Sequence, residues 1–365
     1  MVNPPNTHTT AIKKLRSPIA AIIGIVIELH LIHYFLKCQI KKVYFSISFF
    51  ISVWHKGFMK QQIEKQKELL PFLKGEIIGQ VSAITELCEM INHGEFNLTT
   101  DGKPKGTFLS IGPTGVGKTE TVKALSKFLF GTDKFIARFD MSEYMTLNSY
   151  ETLIGSSQRQ DNGFLGSALE SEKSKILLFD EMEKAHPDIL NLFLQMLDDA
   201  RITTRDGKTH DLSDKYIFFT SNIGAKELMR LKFSYNTTIE KMAKKLLEKS
   251  LRPEFINRFD AIFIFSKLSH DDQRKIGVKL LDKAIKEFSE KNYSLTANSG
   301  VLELCLRLGT HPTYGARPLR RAVYSLIRKA VTKDLMEGGD GCGELIADSK
   351  NKSLSLKKSL TPMNT

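Results

Sequence analysis

Gly112, Pro113, Thr114, Gly115, Val116, Gly117, Lys118 and Thr119 satisfy every fixed position of G-x-x-x-x-G-K-[ST]. Residues of these types at this spacing bind phosphate. The glycines let backbone N–H groups close on the oxygens, and the positive end of a following helix adds to the field. The Lys118 amine is placed to reach the β- and γ-phosphates of ATP, and the Thr119 hydroxyl to ligate Mg2+. The run Ile176-Leu177-Leu178-Phe179-Asp180-Glu181 supplies the acids such a loop needs. It reads as a buried strand ending in two carboxylates. Asp180 would hold Mg2+ through water, and Glu181 would orient and polarise an attacking water. A third apolar run, Tyr216 to Ser221, ends on Asn222, whose amide can donate to a γ-phosphate or position the water. Arg258 and Arg317 can each stabilise charge on a transferred phosphoryl group.

The elements around these residues are legible from the pattern. Thr107 to Ile111 reads as the strand that delivers the loop, and Glu120 to Phe130 as the helix that leaves it. Strand and helix signals alternate from Gln80 to Phe265, as in a parallel sheet covered on both faces. After Ser266 the pattern turns helical. Asp271 to Glu290, Val301 to Leu308 and Arg317 to Met336 read as helices, and Gly343–Ala347 with Ser353–Leu356 as a small hairpin. The expected class is α/β: a phosphate-loop sheet flanked by helices over 75–266, then a small α-rich lid over 267–357. A hydrophobic basic segment (1–58) and a charged helical lead-in (59–74) come first, and a short tail (358–365) comes last.

Together these motifs resemble the Clp family of AAA+ ATPases. The resemblance rests on Gly112 to Glu120, Asp140-Met141-Ser142-Glu143-Tyr144-Met145, Asp180 to Asp188, Thr220-Ser221-Asn222, Arg252 to Arg258 and Tyr314 to Arg321. It is strongest to the second ATPase module of the ClpB disaggregase and runs from about Gly75 to about Leu356. It implies ATP and Mg2+ as cofactors and a homo-hexameric ring with nucleotide between subunits. Asn222 becomes the first sensor residue, Arg258 the arginine finger reaching the neighbour's nucleotide, and Arg317 the second sensor. Glu120 joins the nucleotide-binding loop. In Glu76-Ile77-Ile78-Gly79-Gln80, the resemblance puts Ile77 and Ile78 near the adenine.

The sequence departs from that family at one functional loop. Threading members carry an aromatic Gly-Tyr-Val-Gly-like pore loop after a Leu-Ile-Gly step. Here Leu153-Ile154-Gly155 leads into the shorter, polar Ser156-Ser157-Gln158-Arg159-Gln160-Asp161-Asn162-Gly163. Gly163-Phe164-Leu165-Gly166 offers a replacement that would grip substrate through Phe164. Counted back from Asp180-Glu181, however, Phe164 aligns with the helix start beyond the loop, and the favoured expectation is that it packs in the core. No Ile-Gly-Phe-like loop for docking a ClpP-type protease follows the first sensor. The large N-terminal domain, first ATPase ring and coiled-coil middle domain of ClpB are not found either.

Composition argues against nucleic acid. The net charge is +12, but residues 1–60 hold eight Lys/Arg against Glu28 alone and so supply +7 of it. The remaining charge is spread thinly, with no stacking aromatic–basic pattern. The four cysteines form no C-x-x-C pair and suggest reduced thiols in a cytosolic setting. Pro18 to Leu36 approaches bilayer length. Each strongly apolar residue there favours insertion by roughly 0.3–0.6 kcal/mol, while Glu28 opposes by roughly 2.5–3.5 kcal/mol. The segment 18–54 therefore has three readings: a membrane anchor, a buried or interfacial arm, or a stretch bypassed by translation from Met59. The last is favoured, because everything recognisable follows Met59.

Two functions compete at this point. One is ATP-driven protein remodelling or unfolding with an atypical polar pore loop, its protein substrate or adaptor unspecified. The other is a nucleotide-switched assembly or interaction ATPase that threads nothing, either free of membranes or in contact with one through 18–54. Nucleic-acid remodelling is a weak third.

Overall fold

The structure, a computed structural model, describes residues 59–365 apart from 157, 159–160, 231–235, 312 and 359–365. The readings placed on 1–58, and on Ser157, Arg159 and Gln160 of the polar loop, lie outside the described residues. Two compact units divide the chain, one ending at Lys67 and the other beginning at Glu68. Residues 59–67 of the first are helical. All elements named below belong to the second.

Its centre is a five-stranded sheet of order β2-β3-β6-β1-β7, every pair parallel. The strands are β1 (Gly106–Ile111), β2 (Ile136–Asp140), β3 (Ile176–Asp180), β6 (Tyr216–Ser221) and β7 (Ala261–Ile264). β1, β3 and β6 are buried at every position, because helices cover both faces and leave no side for water. Alternate residues feed two cores. Leu109, Phe179 and Phe219 pack with α4 (Leu147–Ile154), α5 (Gly163–Glu170), α6 (Pro187–Asp199) and α8 (Asn236–Ser250). Phe108, Leu178 and Phe218 pack with α1 (Leu69–Glu76), α2 (Val81–Glu95) and α3 (Lys118–Phe130).

Phe139, Phe179 and Phe219 stack across β2, β3 and β6 at 5.4 and 5.1 Å between centroids. Phe193 closes on the last two at 4.5 and 4.9 Å. Phe179 directly precedes Asp180 and Phe219 directly precedes Thr220, so this aromatic layer is the floor of the strand ends. Aromatic pairs in such arrangements add about 0.5–1.5 kcal/mol each beyond area burial, and that fixes the strand ends in place.

A hairpin, β4 (Arg201–Thr203) and β5 (Thr209–Asp211), stands outside the main sheet. Helices α7 (Ala225–Arg230) and α9 (Pro253–Ile256) are short connectors between β6 and β7. The C-terminal part comprises α10 (His270–Ser289), β8 (Leu295–Ala297), α11 (Ser299–Gly309), α12 (Arg317–Met336), β9 (Gly343–Asp348) and β10 (Ser353–Lys357). α12 buries Leu319, Val323, Ile327, Ala330 and Val331, the three-to-four spacing of one helix face. They meet Leu304, Cys305, Leu345 and Leu354 in a core separate from the other two. β8 runs parallel to β9, which pairs antiparallel with β10. The fold class is the expected one, with a third small strand, β8, too short to announce itself by alternation.

Candidate active site

Ligands in open parallel sheets sit beyond the carboxyl ends of the strands. β6 lies between β3 and β1, so one pocket rim holds Asp180 and Glu181 from β3, Asn222 from β6 and the Gly112–Thr119 loop from β1. Gly112, Gly115 and Gly117 all have positive φ, a backbone only glycine takes without strain. That conformation turns the loop back on itself and lets Lys118 begin α3.

Lys118 is 8% exposed. Its Nζ donates to the carbonyls of Gly112 (2.6 Å) and Pro113 (3.0 Å) and to Oδ1 of Asn222 (3.0 Å). Burial pulls this ammonium down to about 8, against the upward pull of Glu183, Asp180 and Glu181; the nearby Arg317 charge lowers it further. An ammonium held by carbonyls in a low-dielectric pocket gains strongly from an arriving polyphosphate.

Thr119 Oγ1 lies 3.2 Å from both oxygens of Asp180. The Thr220 hydroxyl donates to Asp180 Oδ1 and accepts from the Glu181 backbone N–H at 3.1 Å. Glu181 is in the left-handed region, at φ 56°. For a non-glycine residue this costs about 1–2 kcal/mol, and Thr220 is what holds it there. The turn swings the Glu181 carboxylate towards Asn222, whose Nδ2 lies 3.4 Å from Oε1. Oε2 is taken by Lys184. Glu183 accepts the Asn222 backbone N–H at 3.1 Å.

The lid closes the rim from above. Ala316 N–H donates to the Gly115 carbonyl at 2.9 Å. A Cβ on Gly115 would stand 2.4 Å from the Tyr314 carbonyl oxygen, and one on Gly315 2.4 Å from that of Gly115. Only two glycines allow this approach, and it sets Arg317, the first residue of α12, beside the loop. From the other side, Ile77 is buried with its Cγ2 3.6 Å from the position of a Cβ on Gly117; Ile78 beside it is half-buried. Gln80 donates to the carbonyls of Val116 (3.3 Å) and Ser266 (2.9 Å) and accepts from the Ser266 N–H (2.9 Å). Lys279 of α10 donates to the carbonyls of Gly75 and Glu76 at 2.9 and 3.1 Å. Loop, lid and the Gly75–Gln80 segment are thereby tied together.

Two sequence-selected residues stand apart. Glu120 is exposed on α3 and faces Lys123 at 4.0 Å. Arg258 is exposed; its carbonyl accepts from Thr107 Oγ1 at 3.1 Å, and its Nε lies 2.5 Å from Asp198 Oδ1. Thr107 is at the start of β1, five residues and about 16 Å before the phosphate loop. Arg258 thus sits at the opposite end of β1 from its own chain's loop. Missed by the sequence reading were Thr220 as the hydroxyl relay, Glu183 behind Asn222, Gln80 as a clip, and Arg138, whose Nη2 lies 2.7 Å from Asp180 Oδ2. Thr220 and Glu183 fall inside quoted motifs, so a signal for them existed.

The polar loop is closed at its base. Ser156 N–H donates to Asp161 Oδ1 at 3.1 Å, and a Cβ on Gly155 would meet the Asp161 carbonyl oxygen at 1.9 Å. Phe164 does not enter the core: it is 61% exposed. α5 turns Leu165 and Leu169 inward, and a residue one step before Leu165 is rotated about 100° off that face.

Loop, strand-end acids and docked lid have the chemistry a nucleotide site needs. The Gly112–Thr119 backbone and Lys118 can take the phosphates, and Thr119 with Asp180 the metal.

Known families match in the same order. The model of the AAA domain (Cdc48 subfamily) matches residues 103–262, and that of the C-terminal D2-small domain of ClpB matches 268–342. The ATP-dependent Clp protease ATP-binding subunit ClpA homologue of Porphyra purpurea is 35% identical over 301 residues, 78% of this chain and 37% of that protein. The chaperone protein ClpB 2 of Nostoc sp. is 34% identical over 325 residues, covering 86% of this chain and 37% of that protein. The chain therefore spans little more than a third of the length of these relatives. A closed-state cryo-electron-microscopy reconstruction of Hsp104 with ATPγS and FITC-casein superposes with a TM-score of 0.73 at 29% identity, over 81% of this chain and 52% of that one. No helix among the described residues is long and apolar enough to cross a membrane. The chain belongs to the Clp family of AAA+ ATPases and is similar to the second ATPase module of ClpB.

Proposed function

We propose that this chain binds ATP with Mg2+, hydrolyses it, and spends the energy on remodelling protein. The observation that carries the reading is the Asn222 amide, which touches Lys118 with its oxygen and Glu181 with its nitrogen. One side chain thus spans the group that grips phosphate and the group that would polarise water. When bound, Mg2+ would neutralise charge on the phosphates. Lys118 and the loop N–H groups hold the β- and γ-phosphates. Glu181 takes a proton from the attacking water, freed for this from Lys184. Arg317, on the lid, adds positive charge from above.

The large domain of this reading spans 75–266 and the lid 267–357. Arg258 lies at the strand end remote from its own loop, which supports a homo-hexameric ring where it serves the neighbour's nucleotide. Casein named with Hsp104 in the matching structure makes an unfolded polypeptide the first substrate to try. ATP turnover by the full chain, with and without casein and with Glu181→Gln as a blank, tests this. Casein-stimulated, Glu181-dependent turnover is the expected result, and turnover that persists in Glu181→Gln overturns the site assignment.

The closed base of the polar loop favours a second reading. With Ser156 and Asp161 bonded across it and no aromatic at its described positions, the loop offers little to grip an extended chain. A Glu181-dependent rate indifferent to casein would favour a nucleotide-switched assembly protein.

A further inference from the structure

Arg138 lies on β2, and its guanidinium Nη2 is 2.7 Å from Oδ2 of Asp180. The Asp180 side chain is only 8% exposed, against 46% for Arg138. The same carboxylate faces the Thr119 hydroxyl at 3.2 Å and receives the Thr220 hydroxyl on Oδ1. It is also the carboxylate available to a divalent cation. A guanidinium stays charged at every working pH, so its pull on Oδ2 does not fade with pH. Mg2+ needs near-ideal octahedral geometry and gives up water reluctantly. It cannot reach Oδ2, directly or through a water, without facing that positive charge.

The displaced guanidinium has somewhere to go. In the β2–β3 register Asp140 stands opposite Asp180. Asp140 Oδ1 is engaged by the Ser142 N–H at 3.1 Å and hydroxyl at 2.7 Å, and the carboxylate lies within the electrostatic reach of Arg138. The half-exposed arginine can therefore exchange one acid for the other.

We infer that Arg138 is a positioning residue that competes with the divalent cation for Asp180, so that metal is held well only when it arrives with nucleotide phosphates. The inference rests on the ATP·Mg2+ reading of the site. It makes Arg138 a brake on metal affinity, whereas the loop residues promote it.

The test is Mn2+ binding to the full-length protein saturated with ADP, followed by the electron paramagnetic resonance signal of free Mn2+. Arg138→Met should bind Mn2+ at least about threefold more tightly, the scale of one partly exposed ion pair. Arg138→Lys should stay near the wild type. Asp180→Asn should weaken binding, and adding Arg138→Met to it should change nothing further, because Arg138 acts through Asp180. Unchanged or weaker binding in Arg138→Met, or tightening that persists in the Asp180→Asn background, overturns the inference. If Asp180→Asn itself leaves Mn2+ affinity intact, the metal-site reading beneath it fails instead. Arg138→Gln repeats the measurement without charge if Arg138→Met is unstable.

Discussion

Lys118 and Asn222 are joined at 3.0 Å, ammonium to amide oxygen, across the ends of two neighbouring strands. The other end of that amide reaches Glu181. Binding and hydrolysis therefore share a hinge point but use different charges, and they should separate under mutation. Glu181→Gln should bind nucleotide normally while turnover falls by roughly a hundredfold or more, the scale of a lost general base. A fluorescent-nucleotide titration beside a phosphate-release assay measures both; normal turnover would remove Glu181 from its role.

Nucleotide binding should carry a proton at alkaline pH. Lys118 sits at about 8, below the ordinary lysine value of 10.5, because burial disfavours its charge. Phosphate favours the charged form, so the bound state holds the proton to higher pH. Affinity should be level below about pH 7 and fall as pH rises through 8, by up to about tenfold per unit. Calorimetry at pH 8.5 in buffers of different ionisation enthalpy should register proton uptake. Proton release, or none, would contradict the assignment.

Arg258 lies at the far end of β1 from its own loop and is held by Asp198. Arg258→Ala should retain nucleotide binding and lose turnover by about a thousandfold or more. Mixing Arg258→Ala subunits with Glu181→Gln subunits should restore activity, since some sites then pair an intact Glu181 with a neighbour's intact Arg258. A mixture as inactive as its parts would place Arg258 outside the neighbour's site.

Gly315 to Ala should loosen the lid. Its φ of 55° is in the left-handed region, costing about 1–2 kcal/mol for alanine, and the added carbon would meet the Gly115 carbonyl oxygen at 2.4 Å. Faster hydrogen exchange at the Ala316 amide and weaker nucleotide binding are expected, with lid helicity unchanged. Protection of Ala316 equal to the wild type would show that the contact tolerates a side chain.

Phe164→Ala should change stability by no more than about 0.5 kcal/mol, as for an exposed site. Phe179→Ala, in the aromatic floor, should cost about 3–5 kcal/mol. Urea denaturation of the two variants distinguishes them, and a large loss at Phe164 would put it back in the core.

What the sequence disclosed was what repeats locally. α12 was read at Arg317 to Met336, and the strands ending in Asp180 and Asn222 were read from unbroken apolar runs. β4 and β5 escaped because each is three residues long and only Ile202 among the six is apolar, too little to show an alternation. Phe164 misled because aromatic residues next to Leu165 suggest burial, while a helix turns adjacent residues to different sides. Arg138 escaped for a longer-range reason. The acid its sequence neighbourhood offers is Asp140, two residues on; only the pairing of β2 with β3 brings it to Asp180.

The Gly115–Gly315 approach bears on how such a chain can be inherited. The two segments matched by separate family models meet at bare backbone, each shaped to the missing side chain of the other. Recombination in the short stretch between them would join a lid to a loop it had never been fitted to, and any side chain at either position would hold them apart. Loop and lid from different relatives would thus fit together only where both positions remain glycine.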